Sequence, residues 1–437
     1  MHVLHDPRIE LTSRPIDAAA GGSYRMCPPA DSYARLERLV AAGIVPPVVC
    51  ADQATHIYVC RGAISAAMGK GRESLQARVS CLAEAVERAS AVFRGDEPRT
   101  RTRLADLGGH AVDPGAILNF SPRQYETRDA WNRVNPGVHW VPEPVDTRQA
   151  IDWTPCWSLT RQQTRYLPTA YCYIEYAWNG APAFCFGDSN GCAAGNCIED
   201  AILEGFFELV ERDATALFWY SRARRPAVAL DVLRDPFVDW MRDHYRARER
   251  TLAVLDMTTD LGIPAVAGVS WTREGGRILI GLGAHLDPRL AIARALGELN
   301  QMLLIDDWCQ RRDDGPCPPV DPVARHWLAT AMIDDHPFLV PDEREAPTQT
   351  KRREHSGDLR EEIRVCEEIA RTRGLEILVR DLTRQEIGVP VVRVVVPGLR
   401  HFWARFGVGR LYDVPLRLGW IDSPIDERDL NPIPFPL

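Results

Sequence analysis

The sequence predicts an α/β protein built by internal duplication, and two repeats at nearly one spacing carry that prediction. Glu84 to Arg88 read EAVER, and Glu208 to Arg212 read ELVER 124 positions later. Residues 252–270, LAVLDMTTDLGIPAVAGVS, are echoed by residues 375–396, LEILVRDLTRQEIGVPVVRVVV, with 125 positions between Asp256 and Asp381. Each of this second pair reads as a strand, Asp-x-Thr, Gly-Ile/Val-Pro and another strand. A shared offset implies two related halves with mixed sheets, in which one acidic helix from each half faces the other about a pseudo-axis.

In chain order, residues 1–60 lead into a core domain at 61–437. The first 22 residues lack the apolar stretch of a secretory leader, and no run approaches the roughly 18 apolar residues of a membrane span. Residues 72–90, RESLQARVSCLAEAVERAS, form a helix with Ser80, Glu84, Glu87 and Arg88 on one face and Val79, Leu82, Ala83 and Val86 opposite. Residues 95–150, rich in Arg, Asp and Pro, read as an irregular insertion. The next helix, DAILEGFFELVER at 200–212, places Asp200, Glu204, Glu208 and Glu211 within an arc of roughly 80°, with Ile202, Phe206, Leu209 and Val210 on the other side. A third helix at 288–305 opens with Pro288 after Asp287 and carries Arg294 and Glu298. A second irregular insertion spans 306–358, a helix spans 359–373, and a proline-rich tail occupies 431–437.

Hydrophobic content of 45% with 26% charged residues describes a soluble globular chain. The net charge of −8 argues against a nucleic-acid surface. None of the 12 cysteines forms a CxxC pair, so reduced cytosolic thiols are favoured over a zinc site.

Asp200, Glu204 and Glu208 stack like charges at i,i+4, each step costing a helix roughly 0.2–0.5 kcal/mol. Taken singly, either acidic helix fits a solvated face with Glu84–Arg88 and Glu208–Arg212 pairs. Repeated at a matched offset, Glu84 and Glu87 with Asp200, Glu208 and Glu211 read better as a cradle for hard cations. Magnesium, held by a few carboxylates with water and nucleotide phosphates, suits such oxygen ligands. The turn GKG at 69–71 is spaced wrongly for a Walker loop, although Lys70 can reach a phosphate as a point charge. HExxH, GxSxG and GxGxxG patterns are absent, which leaves zinc proteases, serine hydrolases and dinucleotide enzymes without support.

MGKGRESLQARVSCLAEAVER resembles the first signature of the YcaO superfamily, with Ser80, Glu84, Glu87 and Arg88 in the motif positions. NGCAAGNCIEDAILEGFFELVER resembles the second at Asn196, Glu208, Glu211 and Arg212, with Asp200 where glutamate is usual. GLGAHLDPRLAIARALGELNQ is similar to the third region at Arg294, Glu298 and Gln301, and Leu303 stands near a position often held by arginine. The resemblance implies a YcaO-type fold whose acidic helices face a central ATP cleft. It assigns Glu84, Glu87, Asp200, Glu208 and Glu211 to magnesium, and Lys70, Ser80, Arg88, Asn196, Arg212 and Glu298 to the nucleotide. The tail NPIPFPL matches the PxPxP ending of azoline-forming cyclodehydratases, which places Pro432, Pro434, Pro436 and Leu437 in the catalytic cleft. Fixed φ makes such a tail stiff and extended.

The implied activity is ATP-dependent formation of thiazoline or oxazoline rings in a ribosomal precursor peptide in the cytoplasm. In 437 residues there is no room for the leader-binding domain of fused relatives, so a separate partner related to ubiquitin-activating enzymes is expected. A flavin dehydrogenase in the same complex and a homodimer are both compatible with this reading. The rivals are a thioamide-forming enzyme and a non-catalytic docking scaffold.

Overall fold

A computed structural model describes residues 6–17, 24–61, 66–135, 137–178, 183–311, 320–344, 348, 351 and 353–436. The strands of the amino-terminal half are β1 (Val49–Asp52), β2 (Ile57–Arg61), β3 (Ala66–Gly69), β4 (Thr100–Thr102), β5 (Ile151–Ser158), β6 (Gln163–Pro168) and β7 (Cys192–Ala194). They are followed by β8 (Arg250–Asp256), β9 (Ala265–Thr272), β10 (Leu279–Ala284), β11 (Leu378–Asp381) and β12 (Val391–Val395). Three sheets result, ordered β1-β2-β3, β10-β9-β8 and β4-β5-β11-β12-β7, with β6 beside β5 in the last.

The duplication is visible in the two hairpins. Asp256 pairs with Val266 at the end of β8–β9, and Asp381 pairs with Val392 at the end of β11–β12. In both, the aspartate accepts the backbone N–H of the threonine two residues on, at 2.9 Å from Thr258 and 2.8 Å from Thr383. The Asp-x-Thr echo is therefore an Asx turn used twice. Contrary to the mixed sheets expected, every pairing between described strands is antiparallel. Short hairpins join most sequence neighbours, whereas parallel pairing needs a long crossover.

Five helices position the site: α1 (Pro29–Ala41), α2 (Ser74–Ala91), α3 (Ile198–Ser221), α4 (Pro288–Arg311) and α5 (Leu359–Thr372). Helix α3 packs between β7 and β12 of the large sheet and β9 and β10 of the smaller one, with α5 against it. Of its 24 residues, only Ile198, Glu204, Glu208 and Arg212 escape full burial. The expected two-sided amphipathic helix is thus a core helix with one open stripe, at steps of four residues from Glu204.

Residues 95–150 and 306–358 are less irregular than expected. They contain helices at Pro122–Val134 and Pro322–Thr330, begun by the side chains of Ser121 and Asp321 capping the backbone. At the amino-terminal side, Thr12 donates from its backbone and hydroxyl to Glu199 of α3 at 2.7 and 3.1 Å, which ties residues 6–17 across the helix start.

Candidate functional site

Three strand-turn-helix units build the site: β3–α2, β7–α3 and β10–α4. In each, a helical glutamate turns back and accepts a backbone N–H at the strand 16 or 17 residues earlier. Met68 donates to Glu84 at 3.2 Å, Gly191 to Glu208 at 2.9 Å and Leu282 to Glu298 at 2.8 Å. Glu84 and Glu208 also pair with the arginine one turn later, Arg88 at 2.8 Å and Arg212 at 2.9 Å. Glu298 has Met302 at that position and takes Lys70 instead, whose Nζ lies 3.5 Å away. Close approach of strand to helix makes this possible. A methyl on Gly69 would run into the Ala77 carbonyl and Cys81 amide of α2, and one on Gly283 into the Ala291 carbonyl of α4.

Between the units lies a cavity of about 670 Å³. Glu84 and Glu87 line it from α2, Glu204, Glu208 and Glu211 from α3, and Glu298 from α4. Arg25, Arg35, Lys70, Arg72 and Arg294 bring positive charge to the same walls, and Leu36, Val79, Leu282, Met302 and Ile305 are among its apolar surface.

Burial and crowding raise three of these carboxyls. Burial, reinforced by Glu208 and Glu84, pushes the Glu87 carboxyl well above the usual range. Burial also raises Glu208 despite Arg212, and raises Glu211 to about 7, with Glu298 and Glu208 adding to the effect. A hard divalent cation would relieve that repulsion, so the donor set fits magnesium. Among the described residues no three His, Cys, Asp or Glu side chains converge into a ready-made ligand group. Few-carboxylate coordination completed by water and phosphate oxygens fits this arrangement.

Of the residues singled out in the sequence, Lys70, Ser80, Glu84, Glu87, Arg88, Asn196, Glu208, Glu211, Arg212 and Glu298 all line this one cavity. Asp200 does not. It is fully buried at the start of α3, where its carboxylate accepts the Asn196 N–H at 3.0 Å. The Asn196 side chain in turn accepts from Ser32 at 3.0 Å, and its carbonyl accepts from Arg35 at 3.0 Å. Asp200 therefore supports the loop carrying Asn196 rather than reaching the carboxylate cluster, because its short side chain is spent on that backbone contact.

The tail is also placed differently. Trp219 Nε1–H donates to the Ile433 carbonyl at 2.7 Å, and the Asn431 N–H donates to the Tyr220 carbonyl at 2.9 Å. Pro432 is exposed while Pro434 and Pro436 are buried, and none of the three lines the cavity. Leu437 lies outside the described residues. Trp219 is seven residues beyond Arg212, about 10 Å along the helix at 1.5 Å per residue, and this aromatic anchor holds the tail away from the carboxylates.

Sequence reasoning passed over Glu204, Arg25 and Arg35 as site residues. Glu204 sits one turn from Glu208 on the open stripe and was legible from spacing alone. Arg25 and Arg35 carry no motif, and tertiary folding alone brings them to the cavity.

A protein-family model described as YcaO cyclodehydratase, ATP- and Mg2+-binding, matches residues 68–400. An uncharacterized protein of Methanothermobacter thermautotrophicus is 28% identical over 354 residues, covering 78% of this chain and 83% of that protein. Among solved structures, a heterocyclase in complex with substrate and cofactor superposes with a TM-score of 0.92 at 42% identity over 100% of this chain. The heterocyclase TruD superposes with a TM-score of 0.79 at 41% identity over 98% of this chain. The chain spans 60% and 55% of the lengths of those two heterocyclases.

Proposed function

The chain belongs to the YcaO family of ATP- and Mg2+-binding cyclodehydratases, and from that premise we propose that it forms thiazoline or oxazoline rings from Cys, Ser or Thr in a ribosomally made peptide. The observation that carries the reading is the matched pair Glu84–Arg88 and Glu208–Arg212 lining one cavity, each glutamate fixed by a strand N–H. When bound, Mg2+–ATP supplies the phosphoryl group that converts the oxygen of the attacked amide into a leaving group, so each ring costs the peptide one water.

Glu84 and Glu208 are restrained by two partners apiece and can hold a cation without reorganising, which is the form of preorganisation that counts in phosphoryl transfer. Glu87 and Glu211 would supply further carboxylate oxygens for the cation, which would favour their ionised form. Arg25, Lys70 and Arg294, which pair with Glu204 and Glu298 at the cavity wall, would neutralise phosphate oxygens, and Asn196, held by Ser32, Arg35 and Asp200, would offer a fixed amide beside them. The apolar side chains among the lining lower the local dielectric and would strengthen each of these contacts. Site assignments, the precursor peptide and a separate leader-binding protein are parts of this proposal. Positioning of the nucleophile is expected to depend on that partner, since a misplaced nucleophile forfeits most of the rate.

Incubating the protein with Mg2+–ATP and a leader-bearing Cys-rich peptide, with and without a leader-binding partner, tests the reading. Mass spectrometry should show loss of one water per ring, strongly enhanced by the partner. Exchange of oxygen for sulfur would instead identify a thioamide-forming enzyme, and ATP turnover absent under every condition would leave only a scaffold.

A further inference from the structure

The tail does not line the cavity, yet an unbroken set of contacts connects it to a cavity residue. The Phe435 ring, 1% exposed, meets the Phe402 ring with centroids 5.1 Å apart. The Arg212 guanidinium lies over that same Phe402 ring, 4.5 Å from its centroid. Arg212 then donates to Glu208 at 2.9 Å and to Glu211 at 2.6 Å. Phe402 is itself pinned, its carbonyl accepting from the Tyr220 hydroxyl at 2.7 Å.

We propose that Phe402 is a positioning residue, through which the carboxyl-terminal tail sets the Arg212 guanidinium and hence the two carboxylates it holds. The inference rests on the cyclodehydratase reading. Its physical basis is the geometry of arginine. The guanidinium plane is directional and the ring face attracts it, so a ring held by the tail fixes both where the fork sits and which oxygens it addresses. The corresponding Arg88 has no ring beneath it among the described cation–π pairs, so the device belongs to one of the two matched units.

A double-mutant cycle tests it. Phe402→Leu should lower kcat for ring formation about tenfold, the order expected when a cation–π interaction is removed from a partly desolvated site. It should also change the Mg2+ concentration for half-maximal turnover, whereas a merely structural role would lower the unfolding midpoint alone. Phe402→Tyr, which keeps the ring, should restore most of the rate. Deletion of residues 432–437 should cause a loss that Phe402→Leu does not deepen, because both act through the same ring. If Phe402→Leu does not fold, Phe435→Leu combined with Arg212→Lys forms a second cycle with Phe402 in place, and coupling is expected there too. Losses that multiply in the cycle, or a Phe402→Leu protein with unchanged kcat and Mg2+ dependence, overturn the proposal. An unaltered protein that forms no rings would count against the cyclodehydratase reading, while independent losses in a working protein count against the relay alone.

Discussion

Arg25 stands 3.1 Å from Glu204, and Arg294 of helix α4 pairs with the same carboxylate oxygen. One glutamate thereby joins the amino-terminal segment, α3 and α4 at the cavity wall. Burial by itself would raise its pKa, yet the two guanidiniums prevail and hold the carboxyl at about 2.

That depression fixes the sign of a pH effect. A carboxyl whose folded pKa lies below its unfolded value stabilises the fold fully above the unfolded value and loses this contribution as pH falls towards the folded one. Glu204→Gln should therefore destabilise the protein at pH 7 by on the order of 2–3 kcal/mol. At pH 3.5 the gap between variant and parent should shrink by about 1 kcal/mol. Denaturant unfolding of both proteins at the two pH values measures it, and a gap that stays constant would remove the ion pairs as its cause.

Glu87 should behave in the opposite way. Its folded pKa is raised by burial, Glu208 and Glu84, so ionising it costs the folded state increasingly as pH rises above the ordinary carboxylate range. Glu87→Gln is expected to match or exceed the parent in thermal stability at pH 8 and to gain nothing at pH 4. The thermal shift produced by Mg2+–ATP should disappear in the same variant. Lowered stability together with an intact nucleotide shift would make Glu87 a structural residue.

How much of this was legible depended on whether a repeat kept its identifying residues. The Glu84–Arg88 and Glu208–Arg212 pairs share spelling and spacing, and so do the Asp256 and Asp381 turns. The third unit escaped notice as a repeat because Met302 replaces the arginine after Glu298, whose counter-ion is Lys70 from another unit. Helix α3 read as two-sided, acidic opposite apolar, because the acidic residues of 200–212 share a side. Hydrophobic periodicity reports which faces are apolar, but not that Thr12 covers Glu199, the Asn196 loop closes over Asp200, and Arg400 and Arg410 bury Asp213. The helix starts at Ser121 and Asp321 were signalled by capping residues followed by proline, and the surrounding charge masked them.

Gly69 tests the strand-to-helix approach that places Lys70 and Glu84. A methyl there meets the backbone of Ala77 and Cys81, which cannot yield as a side chain would. Gly69→Ala should cost about 1–3 kcal/mol or more and weaken ATP turnover together with stability. Gly109→Ala, where the added methyl meets open space, serves as the comparison and should melt with the parent. Equal melting of the two variants would show that β3 and α2 can separate freely.

Asp200 gives the sharpest contrast between ligand and support. Its carboxylate is fully buried, with one oxygen accepting from Asn196 and the other without a hydrogen-bond partner, and burial raises its pKa. If it only holds the Asn196 loop, Asp200→Asn keeps the accepting oxygen while removing an awkward charge. That variant should retain stability and require the same Mg2+ concentration for half-maximal ATP turnover. Asp200→Ala deprives the part-buried Asn196 N–H of its partner, at a cost of about 1 kcal/mol, and should raise the KM for ATP about tenfold without altering the cation requirement. Glu208→Gln, in contrast, should abolish magnesium-dependent turnover, since it removes a charge that lines the cavity. Magnesium titrations of the three variants side by side decide the matter: an Asp200→Asn protein that fails as Glu208→Gln does would return Asp200 to the ligand set.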